Sequence, residues 1–349
     1  MEDMEIAPGE YRPTAYWQGY VQRIYTRLQE IGLEEFRGDW EIIKGYGAMN
    51  PVMPDPYGYP SFQVRLVKLL SKIPVSNRIS TFYMKKLVAE HDIRKQEHEK
   101  LIAAIAELLA SDTQNRTQMD RIQESSAGLP EVSGNDLDYF TLNFLVQFAN
   151  ILEMNSAMNI LEMRSVVEIG GGYGTFAEIF MKLAESDRTY CLIDIPPILY
   201  IATEYLRSVF PERIIDYSQA VKMGRIGEKD IRGKILVIPP WLIDKLDMKF
   251  DLFWNSASFQ EMEKNIVIMY LDRVSNRCDY VGINSLIHGH ALGAGGQHEP
   301  IRLDWMVDQV VARGYDEITI EKESVASRVN NILAPLYGLR LFQKKLDHV

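Results

Sequence analysis

Val166-Val167-Glu168-Ile169-Gly170-Gly171-Gly172-Tyr173-Gly174 decides how this chain is read. A short apolar run, the form of a buried strand, ends in a cluster of glycines, and Thr175–Lys182 then carries a helical pattern. Glycine suits such a turn because it tolerates positive φ and lets a ligand approach the backbone with no Cβ in the way. The spacing Glu168-x-Gly170-x-Gly172-x-Gly174 is not the dinucleotide fingerprint, which would want glycine where Thr175 stands. No Gly-Lys-Ser/Thr follows, so a P-loop is excluded.

Outward from this turn, short apolar runs alternate with longer segments of helical character. Strands are predicted at Val166–Ile169, Tyr190–Ile193, Lys234–Ile238, Phe250–Trp254 and Asp279–Leu286. That alternation is the mark of βαβ units and a parallel sheet covered by helices on both faces. A helix over Ile301–Arg313 precedes two last strands, Asp316–Glu321 and Pro335–Lys344, read as an antiparallel pair on a short link. The first part of the chain is helical instead. Tyr16, Tyr20, Ile24, Leu28 and Ile31 draw one apolar stripe, a proline-rich stretch runs from Trp40 to Pro60, and helical periodicity returns over Arg78–Ala110. A polar segment, Ser125–Asp136, precedes a further predicted helix at Leu137–Leu152. The expected division is a helical N-terminal cap over residues 1–135 and an α/β domain over 136–349.

Composition narrows the function classes. The 349 residues are 46% hydrophobic and 25% charged, the balance of a globular protein rather than a disordered or collagen-like chain. The formal charge is −10, with no basic excess to neutralise a phosphate backbone, so a nucleic-acid partner is not expected. Cys191 and Cys278 form no CxxC pair and no disulfide framework. The opening MEDMEIAPGEYRP lacks the apolar core of a signal peptide, and no run approaches the ~18 apolar residues of a membrane span. A reducing, cytoplasmic setting with no membrane partner is expected, and a homo-oligomer is compatible with the composition.

Asp194 ends the second apolar run, in Cys191-Leu192-Ile193-Asp194-Ile195-Pro196-Pro197. An acid at the tip of the second strand is placed to accept hydrogen bonds from both hydroxyls of a ribose. Glu168 at the head of the turn suits an ammonium group and would repel a pyrophosphate. The turn, Glu168 and Asp194 together resemble the first two motifs of class I S-adenosylmethionine-dependent methyltransferases. Asp194-Ile195-Pro196-Pro197, Pro239-Pro240-Trp241 and Asn255-Ser256-Ala257-Ser258-Phe259-Gln260-Glu261-Met262 look more closely like the sugar O-methyltransferase family, over roughly Leu137 to Leu286.

The resemblance implies a Rossmann-like class I methyltransferase sheet, mostly parallel with an antiparallel final strand. It implies S-adenosylmethionine as cofactor and a sugar-containing small molecule as acceptor. Glu168, Gly170, Gly171, Gly172, Gly174, Asp194, Ile195, Trp241, Asn255 and Ser256 would then bind the cofactor. Trp241 could stack on adenine or simply pack the core. Many O-methyltransferases carry a His-Asp pair where this chain has Phe259-Gln260-Glu261-Met262.

Proton removal from an attacking hydroxyl calls for a general base, and Glu261, His288 and His290 are the candidates. Glu261 is also readable as an acid stabilised by the helix that follows it. His288, His290, His298 and Glu299 have metal-compatible types but no signature spacing, so no metal is expected. Tyr139, Gln260 and His298 are the candidate acceptor contacts, with Phe140 and Asn143 beside them. Trp40, Tyr46, Tyr57 and Tyr59 offer aromatic faces for a sugar ring or pins for an irregular loop. Two rival readings stay open: methylation of a non-sugar small molecule, and a non-catalytic cofactor-binding module.

Overall fold

The computed structural model describes residues 2–13, 15–43, 100, 102–128, 140–183, 187–289, 299–321 and 323–345. Eight strands make one sheet: β1 Ser165–Ile169, β2 Thr189–Ile193, β3 Ile214–Ile215, β4 Ile235–Ile238, β5 Phe250–Ser256, β6 Cys278–Leu286, β7 Tyr315–Ile318 and β8 Tyr337–Lys344. Their order is β3-β4-β2-β1-β5-β6-β8-β7. All pairings are parallel except those of β8, which runs antiparallel to β6 and to β7. This is a Rossmann-like, mostly parallel sheet with an antiparallel final strand. The order reverses at β1, so the crevice of an open α/β sheet falls at the carboxyl ends of β1, β2 and β5.

Period-two alternation sorts the strands onto two faces. Val166, Leu192, Val237 and Trp254 join a core that includes helices α2 (Leu142–Met158), α3 (Thr175–Lys182), α4 (Ile198–Val209) and α7 (Val325–Leu333). Val167, Ile193, Ile238 and Phe253 face the other way, onto α5 (Lys264–Val274) and α6 (Leu303–Val311). From the N-terminal part, Ile24 and Leu28 of α1 (Ala15–Ile31), with Phe36 and Ile42, enter the first of these cores. Buried Arg37 pairs there with buried Glu124, which also accepts the Thr141 N–H ahead of α2.

Three expectations need correction. The link between the last two strands is not short: it contains α7, capped by Ser324, whose hydroxyl accepts from Ser327 N. Its Ser/Asn-rich sequence hides the stripe of Ala326, Val329 and Leu333 buried against α2. The helix expected at Leu137–Leu152 starts at Leu142, where Thr141 Oγ1 caps it, and continues to Met158 before Asn159 turns left-handed. The strand expected at Phe250–Trp254 runs on through Asn255 and Ser256. Strand β3 was not anticipated, because two edge residues leave no periodic trace. Among the described residues no helix is long and apolar enough to cross a membrane. Cys191 and Cys278 are buried free thiols in β2 and β6.

Candidate active site

The glycine turn adopts the backbone its sequence implies. Gly170, Gly172 and Gly174 have φ of 75°, 57° and 99°, a region that L side chains rarely occupy. Close packing also demands glycine here. A Cβ on Gly170 would lie 2.2 Å from that of Ser258, and one on Gly174 would meet Leu206 of α4 at 2.8 Å. A Cβ on Gly171 would come within 2.6 Å of Glu168 and 2.7 Å of Leu192. Gly170 N donates to Ile193 O at 2.8 Å, tying the turn to β2. Gly174 caps α3.

Asp194 answers the turn from the tip of β2. Its Oδ2 accepts Gly172 N–H at 2.9 Å and its Oδ1 accepts Ile195 N–H at 2.7 Å. Burial raises its pKa to about 7 against these two bonds, which pull it down. Glu168, 3% exposed, accepts from Tyr190 OH at 2.6 Å. Burial first, then the Asp194 charge, raises it to about 8, while the Tyr190 bond opposes the rise.

The third acid is Glu261. It lies in a 3-10 turn, Phe259–Glu261, ahead of α5 rather than in that helix. Asn255 and Ser258 fix this turn to the sheet: Asn255 Nδ2 donates to Ile169 O at 2.9 Å and to Ser258 Oγ at 2.6 Å, and its Oδ1 accepts Phe259 N–H. Ala257, between them, is held at φ 63°, a conformation that costs a non-glycine residue of order 1–3 kcal/mol. Glu261 Oε2 accepts the indole N–H of Trp17 at 2.9 Å. Burial and the Asp194 charge raise its pKa to about 8, against the lowering effect of the Trp17 bond.

Glu168, Gly170, Gly171, Gly172, Asp194, Ile195, Ser256 and Glu261 line one cavity of about 130 Å³. Glu10, Arg12 and Trp17 border it from the N-terminal part, and Asn143 and Gln147 from α2. Tyr11 OH bonds Asp244 at 2.9 Å, so this N-terminal segment is tied down on both sides of Arg12. Sequence reasoning missed Trp17, Gln147 and Ser258. Ser258 stands inside the quoted Asn255–Met262 stretch, whereas nothing in the local pattern marks Trp17 or Gln147, which reach the site through the tertiary fold.

Other candidates lie elsewhere. Trp241 is edge-on to Tyr217 at 6.2 Å, and Pro240 borders the cavity in its place. Asn255 and Gly174 sit behind the lining as supports. Gln260 is buried, with Oε1 accepting from Ser285 Oγ and Leu286 N and Nε2 donating to Tyr337 OH at 3.1 Å. His288 is exposed beyond β6. Tyr139, His290 and His298 lie outside the described residues, as do Tyr46, Tyr57, Tyr59 and the side chain of Trp40. Among the described residues no group of three or more His, Cys, Asp or Glu is placed to hold a metal.

No protein-family model and no curated protein matches the chain. Solved structures similar to it include the mitomycin 7-O-methyltransferase MmcR, at 12% identity and a TM-score of 0.39 over 92% of this chain and 82% of that one. The riboflavin-derivative dimethyltransferase RosA from Streptomyces davawensis aligns at 13% and 0.38, over 89% and 71%. The pyocyanin biosynthetic protein PhzM aligns at 13% and 0.38, over 58% of this chain and 57% of that one. The fold follows from the strand order.

Proposed function

We propose that this chain transfers a methyl group from S-adenosylmethionine to a hydroxyl of a sugar-containing small molecule. The observation that carries the reading is the convergence of Glu168, Asp194 and Glu261 on one cavity beneath a glycine turn. Three carboxyls in a poorly solvated space favour a cation and oppose a phosphate. The turn exposes backbone without Cβ atoms, the cradle an extended ligand needs. The residues present therefore fit a cofactor bearing a sulfonium and an ammonium group. Glu168 and the glycine turn would hold its amino-acid end, and Asp194 its ribose.

When bound, that cofactor supplies an electrophilic methyl carbon. The protein's own residues do the rest. Glu261 takes the proton of the acceptor hydroxyl, and the turn fixed by Asn255 and Ser258 holds its carboxylate in place. A carboxyl whose pKa stands near 8 is a stronger base than an ordinary one, and a cation arriving beside it promotes its ionisation. The space of about 130 Å³ is small against the roughly 300 Å³ at which small-molecule pockets begin. The segment bearing Arg12 and Trp17 borders this space, and we read the N-terminal part as its cap. Calorimetry with S-adenosylhomocysteine tests the cofactor, and mass spectrometry of products from glycoside and phenol acceptors tests which oxygen is methylated.

A further inference from the structure

A second cavity, of about 580 Å³, lies between α2, α7 and the β6-β8-β7 side of the sheet. Its lining is rich in neutral hydrogen-bonding groups: Asn150 on α2, Asn284 on β6, Ser327 and Asn330 on α7, and Tyr337 on β8. The cation of the lining, Arg340, already pairs with Glu317 at 3.2 Å. Buried Glu153 accepts from Asn330 Nδ2 at 2.6 Å. Asn330 Oδ1 is buried with no hydrogen-bond partner among the described residues, an acceptor that a ligand hydroxyl would satisfy. Acids and amides without a free cation disfavour a phosphate or carboxylate. Hydroxyl groups, which both donate and accept, match such a lining.

The cleft and the carboxyl-lined cavity share a wall. Gln147 and Ser256 line the first cavity, Asn150 and Asn284 the second, and each pair is in contact: Asn150 Nδ2 to Gln147 Oε1 at 3.5 Å, and Asn284 Nδ2 to Ser256 Oγ at 3.4 Å. Beside them, Gln260 reaches from the Glu261 turn to Tyr337 OH at 3.1 Å. The first two contacts are long for hydrogen bonds, so a ligand hydroxyl can replace either partner at little cost.

We propose that this cleft seats the body of a neutral polyhydroxyl acceptor, a glycoside, whose reacting hydroxyl passes the Ser256–Asn284 wall toward Glu261. The fate of that hydroxyl rests on the methyl-transfer reading; the ligand class of the cleft does not. Asn331, exposed on α7 at the cleft, allows a test that spares the buried bonds.

Saturation-transfer NMR on the full chain, with the methyl glycosides of glucose, galactose, mannose and rhamnose as probes, reads binding directly. At least one glycoside is expected to bind. Its affinity should fall by about tenfold or more in Asn331→Trp, which fills the mouth, and in Asn330→Leu, which removes the amide. Circular dichroism verifies that each variant folds, and Asn331→Trp decides alone if Asn330→Leu does not. Absence of glycoside binding, unchanged affinity in folded Asn331→Trp, or displacement of the glycoside by phenol or inorganic phosphate overturns the proposal. S-adenosylhomocysteine titrated into the same samples reports separately on the first cavity. Its failure to bind would defeat the methyl-transfer reading while the glycoside signal still decides the cleft.

Discussion

The two cavities on either side of the Ser256–Asn284 wall are built on different principles. The first gathers three carboxyls against the crossover of a parallel sheet, where strand ends and a glycine turn converge. The second gathers amides and hydroxyls between two helices and the antiparallel strand β8. One is an electrostatic site with little room. The other is a roomy hydrogen-bonding site whose lining cation, Arg340, is already paired. The difference separates binding a charged, reactive group from recognising a neutral, shaped one, and it can be broken or sharpened by substitution.

The largest expected effect is at Gly172, whose N–H meets Asp194 at φ 57°. Gly172→Val puts a β-branched side chain where left-handed backbone is needed and should abolish S-adenosylhomocysteine binding. Calorimetry on the folded variant checks it, and unchanged affinity would remove the first cavity's side of the comparison. Glycoside binding in the cleft should persist.

That side was legible because its parts are contiguous. Glu168 to Gly174 is a single run, and Asp194 closes the next strand, so strand-turn-helix chemistry was visible in local pattern alone. The parallel sheet was equally readable from alternation, whereas its antiparallel end was read from a link taken as short that in fact holds helix α7. The second cavity was not legible, because Asn150, Asn284, Asn330 and Tyr337 come from four elements, one of them the unanticipated helix α7. Trp17 was hidden for a related reason: its indole meets Glu261 across 244 positions of sequence. Trp241, readable either as a platform for adenine or as core packing, lies edge-on to Tyr217 and outside the cavity lining.

Next in size is Glu261→Gln. It preserves shape and the contact with Trp17 but removes the base, and kcat should fall by ~10²–10⁴ with cofactor affinity retained. Steady-state kinetics on a methylated acceptor decide it. If His288→Ala loses kcat instead and Glu261→Gln does not, the base lies on the loop after β6 rather than in the first cavity. A smaller loss is expected from Asp194→Ala, which removes a buried carboxylate from the ribose position. Cofactor affinity should weaken by roughly 1.5–3 kcal/mol, the range for hydrogen bonds to a charged group. Titration calorimetry measures it, and an effect on glycoside affinity of equal size would show that the two cavities are not separable.

The carboxyls also make a stability prediction. Glu168 and Glu261, near 8, and Asp194, near 7, stand above their ordinary values of 4.5 and 3.8. Between these limits the folded protein binds more protons than the unfolded chain, so their contribution is full at low pH and is lost as pH rises through the folded values. The ligand-free protein should therefore melt at a lower temperature at pH 8.5 than at pH 5.5 by reason of these groups, and Glu168→Gln should reduce that fall. An identical pH dependence in wild type and Glu168→Gln would mean that Glu168 ionises normally.

The smallest effect sits where the cap meets the first cavity. Trp17 donates to Glu261 Oε2, a bond that favours the carboxylate and opposes the rise in its pKa. Trp17→Phe keeps an aromatic ring against α1's neighbours and deletes that donor. The pKa of Glu261 should move further up, so the acid limb of the kcat profile should shift to higher pH. Stability should fall by about 0.5–1.5 kcal/mol, the net worth of one hydrogen bond. The same deletion loosens one tie over the cavity, while Tyr11 to Asp244 remains. Cofactor association should therefore quicken while the cleft's affinity for a glycoside stays constant. A pH–rate series with stopped-flow binding separates the two consequences. A shifted acid limb with unchanged association would make Trp17 a positioning residue for Glu261 alone, whereas faster association with an unmoved limb would make it a latch of the cap and take proton transfer away from Glu261.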